Sequence, residues 1–187
     1  MRIPSITQLI DLGELDPGKP FYPKSARDRG TDVHAMAMDY DLGVVRTWPE
    51  GTPNRGAALA YAAAMRQLKP TWEWIEVFDY HPEFRFGGRL DRAGVVFGRK
   101  TVLEIKRGVK ARQVRYKMTG GGEVLTSAHA VQLALQSILA GRRWGLPEEM
   151  IQRISLYVRD TGKHPADEHM DRRDFDVAKD LIRRFCR

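Results

Sequence analysis

The 187-residue sequence has a single cysteine, Cys186, beside the last position. One thiol cannot close a disulfide within the chain. It cannot supply a cysteine-based zinc site or an iron–sulfur cluster either. Long apolar runs are as scarce. Nothing approaches the roughly 20 consecutive apolar residues of a membrane-spanning helix. The opening segment around Ile3 and Ile10 is broken by Gln8, Asp11 and Glu14. No charged segment followed by a long apolar stretch begins the chain, so no signal peptide is expected and a cytoplasmic location is. Internal repeats and low-complexity tails are also missing.

What is present is basic. The formal net charge is +7 and the isoelectric point is about 9.7. That balance points to an anionic partner, nucleic acid first and an acidic membrane surface second. A merely basic soluble protein is the plain alternative. Hydrophobic residues make up 42% of the chain, enough for a core, and the length suits one domain.

The pattern predicts an α/β domain. Ser5-Ile-Thr-Gln8 reads as a capping box for a short helix ending near Gly13, followed by a loop over Asp16–Pro20. Helices are expected from about Ser25 into Met36–Met38 and from Arg55 to Leu68, stopped before Pro70. Three strands follow, Trp72–Tyr80, Phe84–Val96 and Thr101–Arg107. Residues 108–126 read as a loop with a Gly120–Gly122 hinge. A helix from Ser127 to Ala140, capped by Gly141, leads to a strand at Ile151–Arg159, a turn at Asp160–Gly162 and a last helix at Arg172–Phe185. Asp174 and Asp176 early in that helix, with Arg183 and Arg184 late, suit its dipole. The expectation is a single domain over 1–187: a helical part over 1–70 and a core over 71–187, with a central mixed sheet flanked by helices.

Chemistry concentrates in Thr101-Val-Leu-Glu-Ile-Lys106. On a strand Glu104 and Lys106 share a face with Val102, while Leu103 and Ile105 take the other. With a turn centred between Gly98 and Arg99, Asp91 would lie opposite Lys106 and diagonal to Glu104. Two carboxylates supply the hard oxygen ligands that magnesium prefers alongside water and phosphate. A cation there can hold a phosphate and acidify a water, and an ammonium can stabilise developing charge. A cross-strand ion pair on a solvated face is the plain alternative.

Gly88-Arg-Leu-Asp91, a turn, then Val102-Leu-Glu104-Ile-Lys106 resembles the PD-(D/E)XK nuclease superfamily, especially its RecB-like and phage exonuclease branch. Pro4-Ser-Ile-Thr7 with Arg29-Gly-Thr-Asp-Val-His34 resembles that branch's N-terminal signature, in which the histidine joins the metal site. Gln132-Leu-Ala-Leu resembles the helix motif after the E-x-K strand, and Leu156–Gly162 with the closing helix resembles the C-terminal end. The resemblance implies an α-β-β-β-α-β core and one or two Mg²⁺ or Mn²⁺ ions. It implies that Asp91, Glu104, the carbonyl of Ile105 and His34 bind metal, and that Lys106 and Gln132 are catalytic. Glu76 would be a secondary carboxylate. The chain departs from the pattern at Leu90, where the family name has proline, and at Gln136, where the helix motif often has tyrosine. The cysteines of iron–sulfur relatives are missing, which argues against those branches.

His129, Gln132 and Gln136 fall on one helix face. For His129 and Gln136 a solvent-exposed face is expected. Lys106, Arg107, Lys110, Arg112, Arg115 and Lys117 form a run without an acid, with Tyr116 interleaved. A solvated loop is the common meaning of such a run. Beside a nuclease strand, Arg107 through Lys117 could instead track DNA phosphates while Tyr116 stacks a base. The reading is therefore a metal-dependent DNA nuclease, an exonuclease of phage or recombination type, in the host cytoplasm if phage-encoded. A DNA-end-binding or partner-binding protein without catalysis, a structure-specific endonuclease and a small metal hydrolase are its rivals. A homo-oligomer or a recombination partner is compatible with it.

Overall fold

The computed structural model of the chain describes residues 3–16, 24–108 and 110–186, with backbone alone for 24–27. Most of the loop expected after Asp16 lies outside these residues. The elements run α1 (Ile6–Leu12), α2 (Lys24–Asp41), α3 (Arg55–Leu68), β1 (Thr71–His81), β2 (Phe86–Val96) and β3 (Arg99–Arg107). Then come β4 (Gln113–Lys117), β5 (Glu123–Ser127), α4 (Ala128–Trp144), β6 (Gln152–Val158), β7 (Ala166–Glu168) and α5 (Arg173–Phe185). One sheet has the order β1-β2-β3-β6-β7, and β4-β5 form a separate hairpin. Only β3 and β6 pair in parallel, joined by the α4 crossover, so the main sheet is mixed. The expected α/β class, with helices flanking a central mixed sheet, is the one observed.

Strand alternation divides the core between the two faces. Leu103, Ile105, Ile154, Leu156 and Val158 pack with Ala57, Ala60, Tyr61, Ala64 and Met65 of α3 and with Val33 and Ala37 of α2. Those α3 positions follow the i, i+3, i+4, i+7 spacing of an apolar stripe. Full burial of each strand leucine, isoleucine or valine in this layer contributes about 1.5–3 kcal/mol. Val102 faces the other way, onto Leu133 and Ala140 of α4. Further along that layer, α4 packs with α1 and α5. The predicted capping box is present: Ser5 Oγ accepts from the Gln8 N–H, and Gln8 Oε1 accepts from the Ser5 N–H. It docks α1 on β2, where a side chain at Gly88 would collide with Ile6.

The structure differs from the sequence expectation chiefly in a hairpin, a helix end and the short edge strand β7, for which no strand was expected. The segment read as a loop contains the β4–β5 hairpin, whose turn uses the left-handed Gly121 and Gly122. Its strands are short and dense in charge, which hides their alternation. Helix α4 passes through Gly141 and ends at Gly145, which adopts φ 67°. Gly141 is a packing glycine instead: a Cβ there would come within 2.7 Å of the Leu146 carbonyl.

Candidate active site

A tight turn sets the register of β2 on β3. Phe97 and Gly98 both have positive φ, 48° and 78°, the signature of a two-residue hairpin turn. Val96 therefore pairs with Arg99, and the ladder runs to Arg92 opposite Leu103. Continued by one residue, this register places Asp91 beside Glu104 rather than opposite Lys106. The expected turn lay one residue too late. All three side chains still belong to one face, and Asp91 Oδ2 accepts the Ile105 N–H at 2.8 Å.

Helix α4 completes that face. Glu104 Oε1 accepts from Lys106 Nζ at 2.7 Å and from Gln132 Nε2 at 2.5 Å. Glu104 Oε2 accepts from Gln136 Nε2 at 2.6 Å. Lys106 Nζ also donates to Gln132 Oε1 at 2.9 Å. Gln136 is buried, which corrects the solvent-exposed placement expected for it. The same face carries His129, which is partly buried with its Nδ1 3.0 Å from the Tyr157 hydroxyl. The helix face points into the sheet because Leu133 and Ala140 anchor it there, and the amides lie between those anchors and the charged strand.

His34 reaches in from α2. Its Nδ1 lies 3.2 Å from Glu76 Oε1 and 3.6 Å from Asp91 Oδ2, and its Nε2 lies 3.1 Å from the Ile105 carbonyl oxygen. Glu76 sits in the middle of β1 with φ 53°, a left-handed conformation rare for a side-chain-bearing strand residue. Such a backbone costs about 1–3 kcal/mol and persists where its surroundings impose it. Here the surroundings are His34, Arg89 and Arg92, which all meet the Glu76 carboxylate.

Arg92 escaped the sequence reading. It is fully buried, and its Nη1 donates to Glu76 Oε1 at 3.0 Å and to the Asp91 carbonyl at 2.6 Å. Its Nε donates to Asp41 Oδ2 at 2.5 Å, which also accepts from the Tyr61 hydroxyl at 2.6 Å. One guanidinium thus links the last residue of α2, the helix carrying His34, to Glu76 on β1 and Asp91 on β2. The signal was available: on β2 Arg92 falls on the face opposite Asp91, where an apolar residue belongs.

The charges in this cluster shift one another. Burial disfavours the His34 imidazolium, but Asp91, the Glu76 hydrogen bond and Glu104 outweigh it and push its pKa up to about 9. Burial and then the Glu104 charge push Asp91 up to about 7, against the pull of His34 and Lys106. Burial also works against ionised Glu104, yet the Lys106 charge and hydrogen bond hold it below its ordinary value. Lys106 loses to burial and gains more from Glu104 and Asp91, so its ammonium is held charged.

Among the described residues, His34, Glu76 and Asp91 form the group whose ligand atoms all lie within 4.8 Å of one another. In this arrangement the imidazole sits between two carboxylates and a carbonyl. A hard divalent cation takes the same oxygen donors, so the set fits one. Glu104 stands apart from that group, with its two oxygens occupied by one ammonium and two amides. Its Oε2 accepts one hydrogen bond, from Gln136, and so keeps a lone pair for a further partner.

The cleft in front of this cluster has a volume of about 660 Å³. Ser5, Thr7, Gly30, Thr31, Phe78 and Arg89 line it together with the charged residues. Of the basic run, Lys106 alone lines it. Arg107 pairs with Asp160, Lys110 with Asp167, and Arg115 with Glu123 at 3.7 Å. Arg112 and Lys117 are exposed. Tyr116 is buried, and its hydroxyl donates to Asp180 at 2.9 Å. Its ring serves the packing of the hairpin on α5 and offers no face for stacking, a correction to the sequence expectation.

No protein-family model and no curated protein matches the sequence. Among solved structures the chain is similar to a "putative exonuclease" from Eubacterium rectale. The identity is 10% and the TM-score 0.57, over 97% of this chain and 77% of that one. A second structure, SSO0001, aligns at 15% identity and a TM-score of 0.40, over 97% of this chain and 75% of that one. The first likeness establishes a shared fold. Among the described residues no helix is long and apolar enough to cross a membrane.

Proposed function

We propose that this chain is a single-domain, divalent-metal-dependent nuclease that hydrolyses phosphodiester bonds in DNA. The observation that carries this reading is the convergence of His34, Glu76, Asp91, Glu104, Lys106 and Gln132 on one cleft. The fold likeness to an exonuclease-like structure supports the nuclease class. The order of the sequence signatures supports an exonuclease of the RecB-like, phage or recombination type.

A magnesium or manganese ion would be held by Asp91, Glu76 and His34, with the Ile105 carbonyl in reach. It would supply positive charge against the phosphate and acidify a water. The protein groups do the rest. Lys106 uses two of its three ammonium donors on Glu104 and Gln132. The third is left for a water or a phosphoryl oxygen in the cleft. Because Lys106 stays charged, it acts by electrostatic stabilisation and orientation. Glu104 holds that ammonium in place, and Gln132 and Gln136 hold Glu104. Asp91 Oδ2 accepts the Ile105 N–H and so braces the strand residue whose carbonyl lies beside His34.

The test is digestion of linear and covalently closed circular DNA, single- and double-stranded, in Mg²⁺ or Mn²⁺ with a chelator control. Loss of linear DNA with circles intact is the expected result. The proposal is overturned if no form is cut in either metal, or if Lys106→Met cuts as fast as the wild type.

A further inference from the structure

Metal-dependent hydrolysis requires no aromatic residue, yet a large one stands exposed in the cleft. Phe78 is 66% exposed although it belongs to a central part of β1 and lines the same cavity as Glu76, Asp91 and Lys106. Its directly paired residue on β2 is Arg89, also exposed and also lining the cavity. The pair therefore places a ring and a guanidinium side by side on one face of the sheet. Arg89 and Asp91 share a face of β2, two residues apart, a separation of about 7 Å along a strand.

This unit is held in place. Gly87 leaves room for the Phe78 ring: a Cβ there would stand 3.0 Å from Phe78 Cζ and 2.9 Å from the Asp79 carbonyl oxygen. The ring thus lies over the neighbouring strand. The Arg89 carbonyl accepts from Gln136 Nε2 at 3.2 Å, and the other Gln136 bond is to Glu104. One amide therefore couples the backbone under the platform to the carboxylate that holds Lys106. The Arg89 guanidinium reaches Glu76 at 3.7 Å, and its side chain is 67% exposed and lines the cleft, so it has donors left for a ligand.

We infer that Phe78 and Arg89 form a nucleotide subsite, in which Phe78 stacks an unpaired base and Arg89 contacts the adjoining phosphate. This rests on the nuclease reading and narrows it to strands that present unpaired bases at the cleft, such as a single strand or a frayed end. Within a duplex the faces of each base are covered by its neighbours, whereas every unpaired base offers a π-face to an aromatic ring. Stacking of this kind tolerates any sequence. A guanidinium beside the ring adds charge toward the phosphate and positions the strand without reading it.

The test is binding in chelator, where no cleavage occurs. Affinities for a single-stranded DNA oligonucleotide, for an abasic strand of equal length and for a blunt duplex are measured with wild type, Phe78→Ala, Phe78→Trp and Arg89→Ala. Phe78→Ala is expected to weaken binding of the base-bearing strand about ten-fold, which is one base–aromatic stack of roughly 1.4 kcal/mol. It should leave the abasic strand and the duplex unchanged, and Phe78→Trp should restore the loss. Arg89→Ala should weaken both single strands alike. The inference is overturned if Phe78→Ala binds every strand as the wild type does. Equal loss on base-bearing and abasic strands, or a wild type that binds neither, also overturns it. Cleavage of the same proteins in Mg²⁺ separates the two readings. No cleavage with the Phe78 pattern intact sinks the nuclease reading alone, and normal cleavage without that pattern sinks the subsite alone.

Discussion

Among the described residues two arginines are buried, Arg92 against α2 and α3 and Arg153 against α5, and their surroundings treat charge differently. Burial weakens both guanidinium charges. Around Arg92, Tyr61, Asp41 and Glu76 outweigh that effect and raise its pKa. Around Arg153, Asp174 and Asp171 do not, and its pKa falls. Asp174 uses one oxygen on Arg153 at 3.2 Å and the other on the Thr126 hydroxyl at 2.7 Å. Asp174 lines a cavity of about 430 Å³, but among the described residues it belongs to no group of converging ligand atoms, whereas Glu76 meets Arg92 and His34 and converges with His34 and Asp91 at the cleft. Buried charge alone therefore does not mark a site. What distinguishes the Glu76 cluster is that ligand atoms of His34, Glu76 and Asp91 come within 4.8 Å of one another at the cleft.

The sharpest way to break this contrast is to remove each arginine. Arg92→Met and Arg153→Met should each lower stability by about 3–5 kcal/mol in urea unfolding, since each leaves a buried carboxylate without its partner. Among the molecules that remain folded, Arg92→Met should lose turnover because Glu76 and α2 lose their common anchor. Arg153→Met should keep it. Equal turnover in the two variants would dissolve the distinction. Lys106→Met should reduce kcat about 10²–10³-fold, the usual loss when one transition-state donor is removed, with the circular dichroism of the fold retained.

Two histidines extend the comparison to pH. Burial, then the Lys106 charge, pushes His129 down from 6.5 to about 4. The unfolded chain therefore binds the proton first as the solution is acidified. Stability should be complete above pH 6.5 and fall as the pH drops toward 4, by about 3 kcal/mol. His34 has the opposite sign. Its folded pKa of about 9 exceeds 6.5, so its contribution is present below 6.5 and lost as the pH rises through 9. Urea titrations across this range should show His129→Gln flattening the acid limb and His34→Gln the alkaline one. The smallest effect concerns Tyr116. Tyr116→Phe should cost about 1–2 kcal/mol through its lost hydrogen bonds and leave DNA affinity unaltered. A loss of affinity would return the residue to the binding surface.

Much of the fold was legible because α1, α3, β1 to β3, α4, β6 and α5 carry strong local signals. The Ser5 capping box, the alanine-rich stripe of α3 and the alternation around Glu104 are examples. The β4–β5 hairpin was not, because its strands of five residues carry charge where a core strand would be apolar. The placement of Asp91, Glu104 and Lys106 on one face followed from strand period alone. Their register did not, since it depends on the two left-handed residues at Phe97 and Gly98. Glu76 and His34 could be named, but their meeting could not, because it needs the twisted backbone at Glu76 and the packing of α2 on the sheet. Arg92 and Gln136 were missed for a shared reason. Each is polar and is buried by partners far along the chain, and for Arg92 only the strand period hinted at the buried face.

Cation binding at His34, Glu76 and Asp91 is the decisive measurement. Calorimetric titration with Mn²⁺ compares wild type, Asp91→Asn and Asp174→Asn. Wild type and Asp174→Asn should bind the ion, and Asp91→Asn should not. Wild-type affinity should climb as the pH rises from 7 toward 9, because the ion must displace the proton held by His34. Equal binding by all three proteins, or affinity indifferent to pH over that range, would contradict the assignment of His34, Glu76 and Asp91 as the metal site.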